Sequence, residues 1–228
     1  MNDLPSRRTV RDQTLTRRDL EMMLASPQTL IDCCLDEADL SELDLSRWQF
    51  ERCSLRHTDL SRARLEGTHW QSCRGAFASF MASDLTEAVF IASDFNNASF
   101  RRAGLQSVKF TRCKLTGANL CEIKGLGLEF EETLLVNASL IGHSFRKADL
   151  TRIDFSQADL RKCDFRQTAF TACSLREANM EGARFAGADL RGADLGGVRL
   201  VDASLFRGTI ISREQAGQLL GELGLIVQ

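Results

Sequence analysis

A large apolar residue stands at 34 of the 36 positions that recur every five residues from Leu30 to Leu205. Of the 36 positions in the series, 32 are Leu or Phe, and the other four are Trp70, Gly75, Gly125 and Met180. The register never slips. The residue two places earlier is Ala, Cys, Ser, Thr or Val in 29 of the 36 units, as at Ala38, Cys53, Ala88, Ala118, Ala158 and Ala188. Neither the 3.6-residue period of a helix nor the two-residue period of a strand explains this pattern. Both prolines, Pro5 and Pro27, precede the repeats. A backbone that must hydrogen-bond to itself along its whole length has no place for a residue without an N–H.

Clean units read ADLSE, ADLRG and ADLGG, so the chain resembles the pentapeptide-repeat family, A(D/N)LXX, over about residues 30–210. That resemblance implies an all-β fold, a right-handed quadrilateral parallel β-helix. Each side is one pentapeptide and each coil is twenty residues. The central Leu or Phe and the small residue before it face inward, and the other three positions face water. About nine coils at a strand spacing of roughly 4.8 Å would give a rod about 43 Å long. The expected organisation is a leader and capping helix over 1–29, the β-helix over 30–210, and a helix and tail over 211–228.

Columns twenty residues apart test the idea. Phe50, Trp70, Phe90, Phe110, Phe130 and Phe170 should stack on one side. Cys33, Cys53, Cys73, Cys113 and Cys173 should form a second column at the small inward position. Ser93, Thr133 and Ala193 occupy the same column, so these cysteines read as small apolar filler that stays reduced in a cytosolic protein.

The ends carry different signals. Thr16 with Asp19 reads as a capping box opening a short helix through Leu20, Met23 and Leu24 that Pro27 stops, with 1–13 as a flexible leader. Ser212 with Gln215 makes a second box. Ala216, Leu219, Leu220 and Leu223 then share a helical face, and Leu225, Ile226 and Val227 follow as an apolar tail. An intramolecular cap would use part of this surface. Two-fold pairing of C-terminal ends would bury all of it, and the homodimer is the favoured expectation.

The tail is similar to the end of the topoisomerase-protecting subgroup, which includes the Qnr quinolone-resistance proteins, MfpA and McbG. Leu126-Gly127-Leu128-Glu129-Phe130 resembles a step inside Qnr proteins. This implies a homodimer that binds DNA gyrase or topoisomerase IV, mimics duplex DNA, and protects the enzyme from poisons such as quinolones, albicidin or microcin. The alternative is a pentapeptide scaffold that regulates some other protein. The unbroken register leaves no room for Qnr-type loops except at Gly75 and Gly125.

Mimicry of DNA calls for acidic surface. The candidates are Glu129, Glu131 and Glu132 beside Gly125, with Asp149, Asp154 and Asp159. Asp149, Asp154, Asp159 and Asp164 fall on four successive sides, with Arg146, Lys147, Arg152, Arg161, Lys162 and Arg166 between them. Asp is also the repeat consensus, where its side chain can bond the turn backbone.

The net charge of −2 over 228 residues gives no basic footprint for nucleic acid. No apolar run spans a bilayer and the N-terminus lacks a secretory signal, so the expected compartment is the cytoplasm. His57 and His69 fall at surface positions on different sides. His143 falls at an inward one, where it should be buried, neutral and hydrogen-bonded. No catalytic set, phosphate loop or metal-ligand spacing can be assembled. The chain reads as a binding protein without cofactor or metal, not as an enzyme.

Overall fold

A pentapeptide that points its central side chain inward and turns a corner after it closes a square in four units. The computed structural model describes residues 8–197, 203–222 and 224–226, and the chain divides into two units, Met1–Glu129 and Phe130–Gln228. The first unit contains β1 (Arg8–Arg11), α1 (Arg17–Glu21), β2 (Gln28–Ile31), β3 (Gln49–Glu51), β4 (His69–Gln71), β5 (Val89–Ile91) and β6 (Lys109–Thr111). Each strand pairs in parallel with the strand twenty residues on, so that Val10, Leu30, Phe50, Trp70, Phe90 and Phe110 are successive partners. The other three sides are held by single bridges at the same spacing, such as Cys34–Ser54–Arg74, Asp39–Asp59–Ser79 and Asp44–Arg64–Asp84.

The second unit carries β7 (Glu129–Glu131, whose first residue ends the first unit), β8 (Asp149–Thr151), β9 (Ala169–Ser174) and β10 (Asp189–Asp194). After these come a 3-10 turn at Ala203–Phe206 and α2 (Arg213–Glu222). Leu150 pairs with Phe170, and the other sides again bridge at twenty residues, as in Asp154–Ser174, Asp159–Asn179 and Asp164–Arg184. Each unit is thus a four-sided parallel β-helix.

Most corners are β-turns. The central residue's carbonyl accepts the amide three residues on, as from Ala38 to Leu35 at 3.2 Å and from Trp48 to Leu45 at 3.1 Å. The second corner residue then takes a positive φ, +61° at Glu37 and +63° at Arg47. For a side chain with a Cβ this region costs about 1 kcal/mol or more. The amide it exposes offsets that cost by bonding the next coil, from Glu37 to Arg56 at 2.8 Å and from Arg47 to Glu66 at 2.7 Å.

The interior column stacks as flat layers. Trp70 lies between Phe50, at 3.9 Å and 3° between planes, and Phe90, at 5.6 Å and 4°. Its indole N–H donates to Thr68 Oγ1 at 2.9 Å, which satisfies the one polar atom of the ring. The small inward residues do more than fill space. The Thr58 hydroxyl donates to Leu35 O at 2.7 Å, and the thiols of Cys53 and Cys73 point at Leu30 O and Phe50 O, 3.4 and 3.3 Å away. Ser93 reaches Trp70 O in the same way at 3.2 Å. At these four positions a short donor gives an inward carbonyl of the preceding coil a further partner, a bond that Ala in the same place does not make. Burial pushes the Cys113 thiol up to about 11.

Neither glycine break is a loop. Gly75 keeps its ladder bond to Asp94 O at 2.7 Å. A Cβ there would lie 2.2 Å from Cε1 of Phe95, whose ring fills the volume and meets Trp70 edge-on at 6.1 Å. Gly125 has φ +111°, and a Cβ would meet the Gln106 backbone nitrogen at 2.6 Å. The apolar residue stands one place later, with Leu126 79 % exposed, while its amide is held by Gln106 Oε1 at 2.9 Å.

Two expectations need correction. Residues 8–13 are not a flexible leader: β1 pairs with β2, and Thr14 bridges Cys34. The helix α1 then replaces one side of this first coil, burying Leu20 completely and anchoring Arg17 on Ser41 O at 3.0 Å. His143 does point inward, against the Phe145 ring at 4.6 Å, but it is half-buried and no hydrogen bond to its ring is found among the described residues. Desolvation alone pushes its pKa down to about 4, so it is neutral near pH 7.

Restoring the repeat's apolar residue at Gly75 should therefore harm the protein. Gly75→Leu is expected to cost about 1–3 kcal/mol in urea unfolding, through overpacking. Phe95→Ala also destabilises, but G75L/F95A should lose less than the sum of the two. Simple additivity in that cycle would show that Phe95 is not the residue for which Gly75 makes room.

Candidate functional site

The surface consists of the three outward positions of each pentapeptide, so any site must be built from them or from the ends. The Asp before each central residue is largely committed to its own turn. Asp39 accepts the Ser41 amide at 3.0 Å and hydroxyl at 2.6 Å, and Asp44 with Ser46, Asp84 with Thr86 and Asp154 with Ser156 repeat the arrangement. Where Arg replaces the hydroxyl residue, the carboxylate takes the guanidinium as well. Asp159 accepts Arg161 Nε and Nη2 at 2.8 and 2.7 Å, and Asp189 accepts Arg191 likewise. These donors hold Asp39, Asp44, Asp159 and Asp189 below the usual carboxylate range.

The acidic candidates accordingly separate. Glu129 pairs with Lys109 at 2.9 Å and Glu132 with Arg152. Asp154 and Asp159 lie on two further sides, bound to their own turns. Glu131 and Asp149 are exposed on the strand side of the second unit and have no ion pair among the described residues. The five acids of the second unit do not form one continuous stripe.

The C-terminal segment is assembled in two layers. The chain returns to the last coil at Ile210, whose amide bonds Ala188 O at 2.9 Å and whose carbonyl accepts Leu190 N at 2.8 Å. The expected box then opens α2, with Ser212 N donating to Gln215 Oε1 at 2.7 Å and Gln215 N to Ser212 Oγ at 3.2 Å. Gln215 is buried, and its Nε2 also donates to Leu190 O and Ala193 O at 2.6 and 2.7 Å. One side chain thus caps the helix and closes two carbonyls of the last coil. Leu219 is buried against the same chain, while Ala216 is half-buried. Leu220, Leu225 and Ile226 face outward, 38, 55 and 89 % exposed, with Ile210 and Ile211 also open. Leu223 and Val227 lie outside the residues whose side chains are described.

The histidines do not meet. His57 stacks on Phe77 at 5.1 Å on one corner, and exposed His69 contacts Gly67 O. Among the described residues no group of three or more His, Cys, Asp or Glu is placed to hold a metal, and no helix is long and apolar enough to cross a membrane.

The sequence matches the model of "Pentapeptide repeats (8 copies)" over residues 33–69, 83–120, 129–167 and 168–205. The chain belongs to the pentapeptide-repeat family. Among solved pentapeptide-repeat structures it is similar to full-length QnrB1, a plasmid-mediated fluoroquinolone resistance protein. The identity is 21 % and the TM-score 0.58, over 96 % of this chain and 98 % of that one. It is also similar to HetL from the cyanobacterium Nostoc sp. strain PCC 7120, a protein involved in heterocyst differentiation regulation. There the identity is again 21 %, with a TM-score of 0.56 over 83 % of this chain and 87 % of that one. No curated protein matches the sequence. At this identity the two likenesses carry the fold.

The pentapeptide pattern predicted the inward columns but not the double duty of Gln215. The capping box was visible, whereas a glutamine amide reaching carbonyls 22 and 25 residues back leaves no local signature. Gln215→Ala removes both bonds and part of the box. It should cost about 1–3 kcal/mol and speed amide hydrogen exchange in 213–222 while leaving β2–β6 unchanged. Unchanged exchange in the helix would place its anchor elsewhere.

Proposed function

We propose that this protein is a homodimer, paired through its C-terminal ends, that binds DNA gyrase or topoisomerase IV and protects it from a poison such as a quinolone or a natural-product inhibitor. The observation that carries the reading is the surplus of apolar surface at that end. Gln215 and Leu219 already close on the last coil, yet Leu220, Leu225 and Ile226 remain exposed, as do Ile210 and Ile211. A helix needed only as a cap has no use for them, whereas a second copy related by a two-fold axis covers them with the same residues. The fold similarity to QnrB1, which extends over 96 % of this chain, supports the choice of target. The acids available to a partner are Glu131 and Asp149, since the other candidates are bound to their own turns or paired. Mimicry of DNA in this chain therefore rests on a few exposed carboxylates and not on a charged stripe.

Two measurements test the two halves separately. Supercoiling and cleavage assays with gyrase and drug should show protection at stoichiometric protein, and failure against several poisons would remove the topoisomerase reading in favour of a scaffold for another partner. Light scattering should give a dimer that L220E/I226E converts to a monomer. A wild-type chain monomeric at high concentration would show that the tail does not pair.

A further inference from the structure

The four-sided coil gives each side its own charge, and one side of the second unit departs from the rest. Ser144, Asp164 and Arg184 are successive rungs of one bridge column. Asp164 is 6 % exposed and accepts Arg166 Nε and Nη2 at 2.9 and 2.7 Å together with Arg184 Nη2 at 3.0 Å. Two guanidinium groups thus share one carboxylate, which leaves an excess positive charge held in a fixed orientation. Arg146 follows Ser144, which is not an acid, and Lys147 and Lys162 stand at the corners on either edge of the same side. Arg146, Lys147 and Lys162 are exposed and have no ion pair among the described residues. Elsewhere in this unit, Arg161 and Arg191 are each matched by the Asp two residues before.

We propose that this side, formed by Arg146, Lys147, Lys162, Arg166 and Arg184, is a docking surface for an acidic protein segment in extended conformation. The patch spans two coil steps, about 10 Å at strand spacing. Same-face carboxylates of an extended peptide recur about every 7 Å, so two of them fit within it. Arginine forks held from below by Asp164 present their remaining N–H groups to such carboxylates. Duplex DNA suits the patch less well. It carries a charge about every 1.7 Å of its axis, and this spread field would fall on exposed Asp149 on one flanking side and Glu181 on the other. The surface uses none of the exposed apolar residues of the C-terminal end, and the proposal does not depend on a topoisomerase as partner.

The test is titration of labelled decaglutamate by fluorescence anisotropy, at about 0.02 M and about 0.15 M salt. Binding should be saturable at the lower salt and weaken at the higher. R146E/K147E/K162E should reduce affinity at least about tenfold, the neutral R146Q/K147Q/K162Q by less, and the control R112E/K114E in the first unit should leave it unchanged. Circular dichroism melts of the variants should overlay the wild type, because all the altered side chains are exposed. Absence of saturable binding at low salt, an equal loss in the control, or a short DNA duplex displacing the peptide at lower concentration than free decaglutamate would each overturn the proposal.

Discussion

The backbone bond between one coil and the next governs everything else in this protein. A pentapeptide cannot bury its central residue alone, because a single five-residue side has neither a sheet partner nor a second layer. It gains both only when the amides and carbonyls of the coil twenty residues away lie at hydrogen-bonding distance. The step of twenty is therefore enforced twice, by the ladder and by the side chains that must stack above one another. That double constraint explains the absence of insertions between Leu30 and Leu205. It also explains why an exceptional residue is absorbed in place, as Gly75 is by Phe95.

The same constraint decided how much could be read in advance. Inward and outward positions were legible because they follow from period alone, and the columns of Phe, Trp and Cys lie where the spacing put them. The start of the array was not. Val10, Leu15 and Leu20 lie on the five-residue series below Leu30, yet Ala25 interrupts it, their neighbours break the consensus and α1 replaces one side. Leu219 was legible as helical and apolar, but a single amphipathic stripe does not reveal which of its residues turn toward the chain's own end. Gln215 supplies that answer, because its bonds to Leu190 and Ala193 orient the helix and leave Leu220 outward.

Charge was the least legible property, although the structure supplies a rule for it. The position before each central residue favours Asp because the carboxylate caps the following turn, so an acid count overstates the charge offered to a partner. An Arg two residues after such an Asp is neutralised within its own pentapeptide, as Arg161 and Arg191 are. Excess charge arises where that local pairing fails or where a basic residue stands at a corner, as Lys147 and Lys162 do.

The failures are readable once the rule is known. Ser144 before Arg146 removes the acid from one pentapeptide, and Arg184 occupies the acid's own position in another. In a repeat array this matters more than in an irregular fold, because a lapse in one coil lies about one strand spacing from the lapse in the next. Sparse local exceptions then add up to a side of net positive charge on a chain whose net charge is only −2. Net charge and consensus both conceal such a side, and the ladder that makes the fold uniform is also what brings its exceptions together.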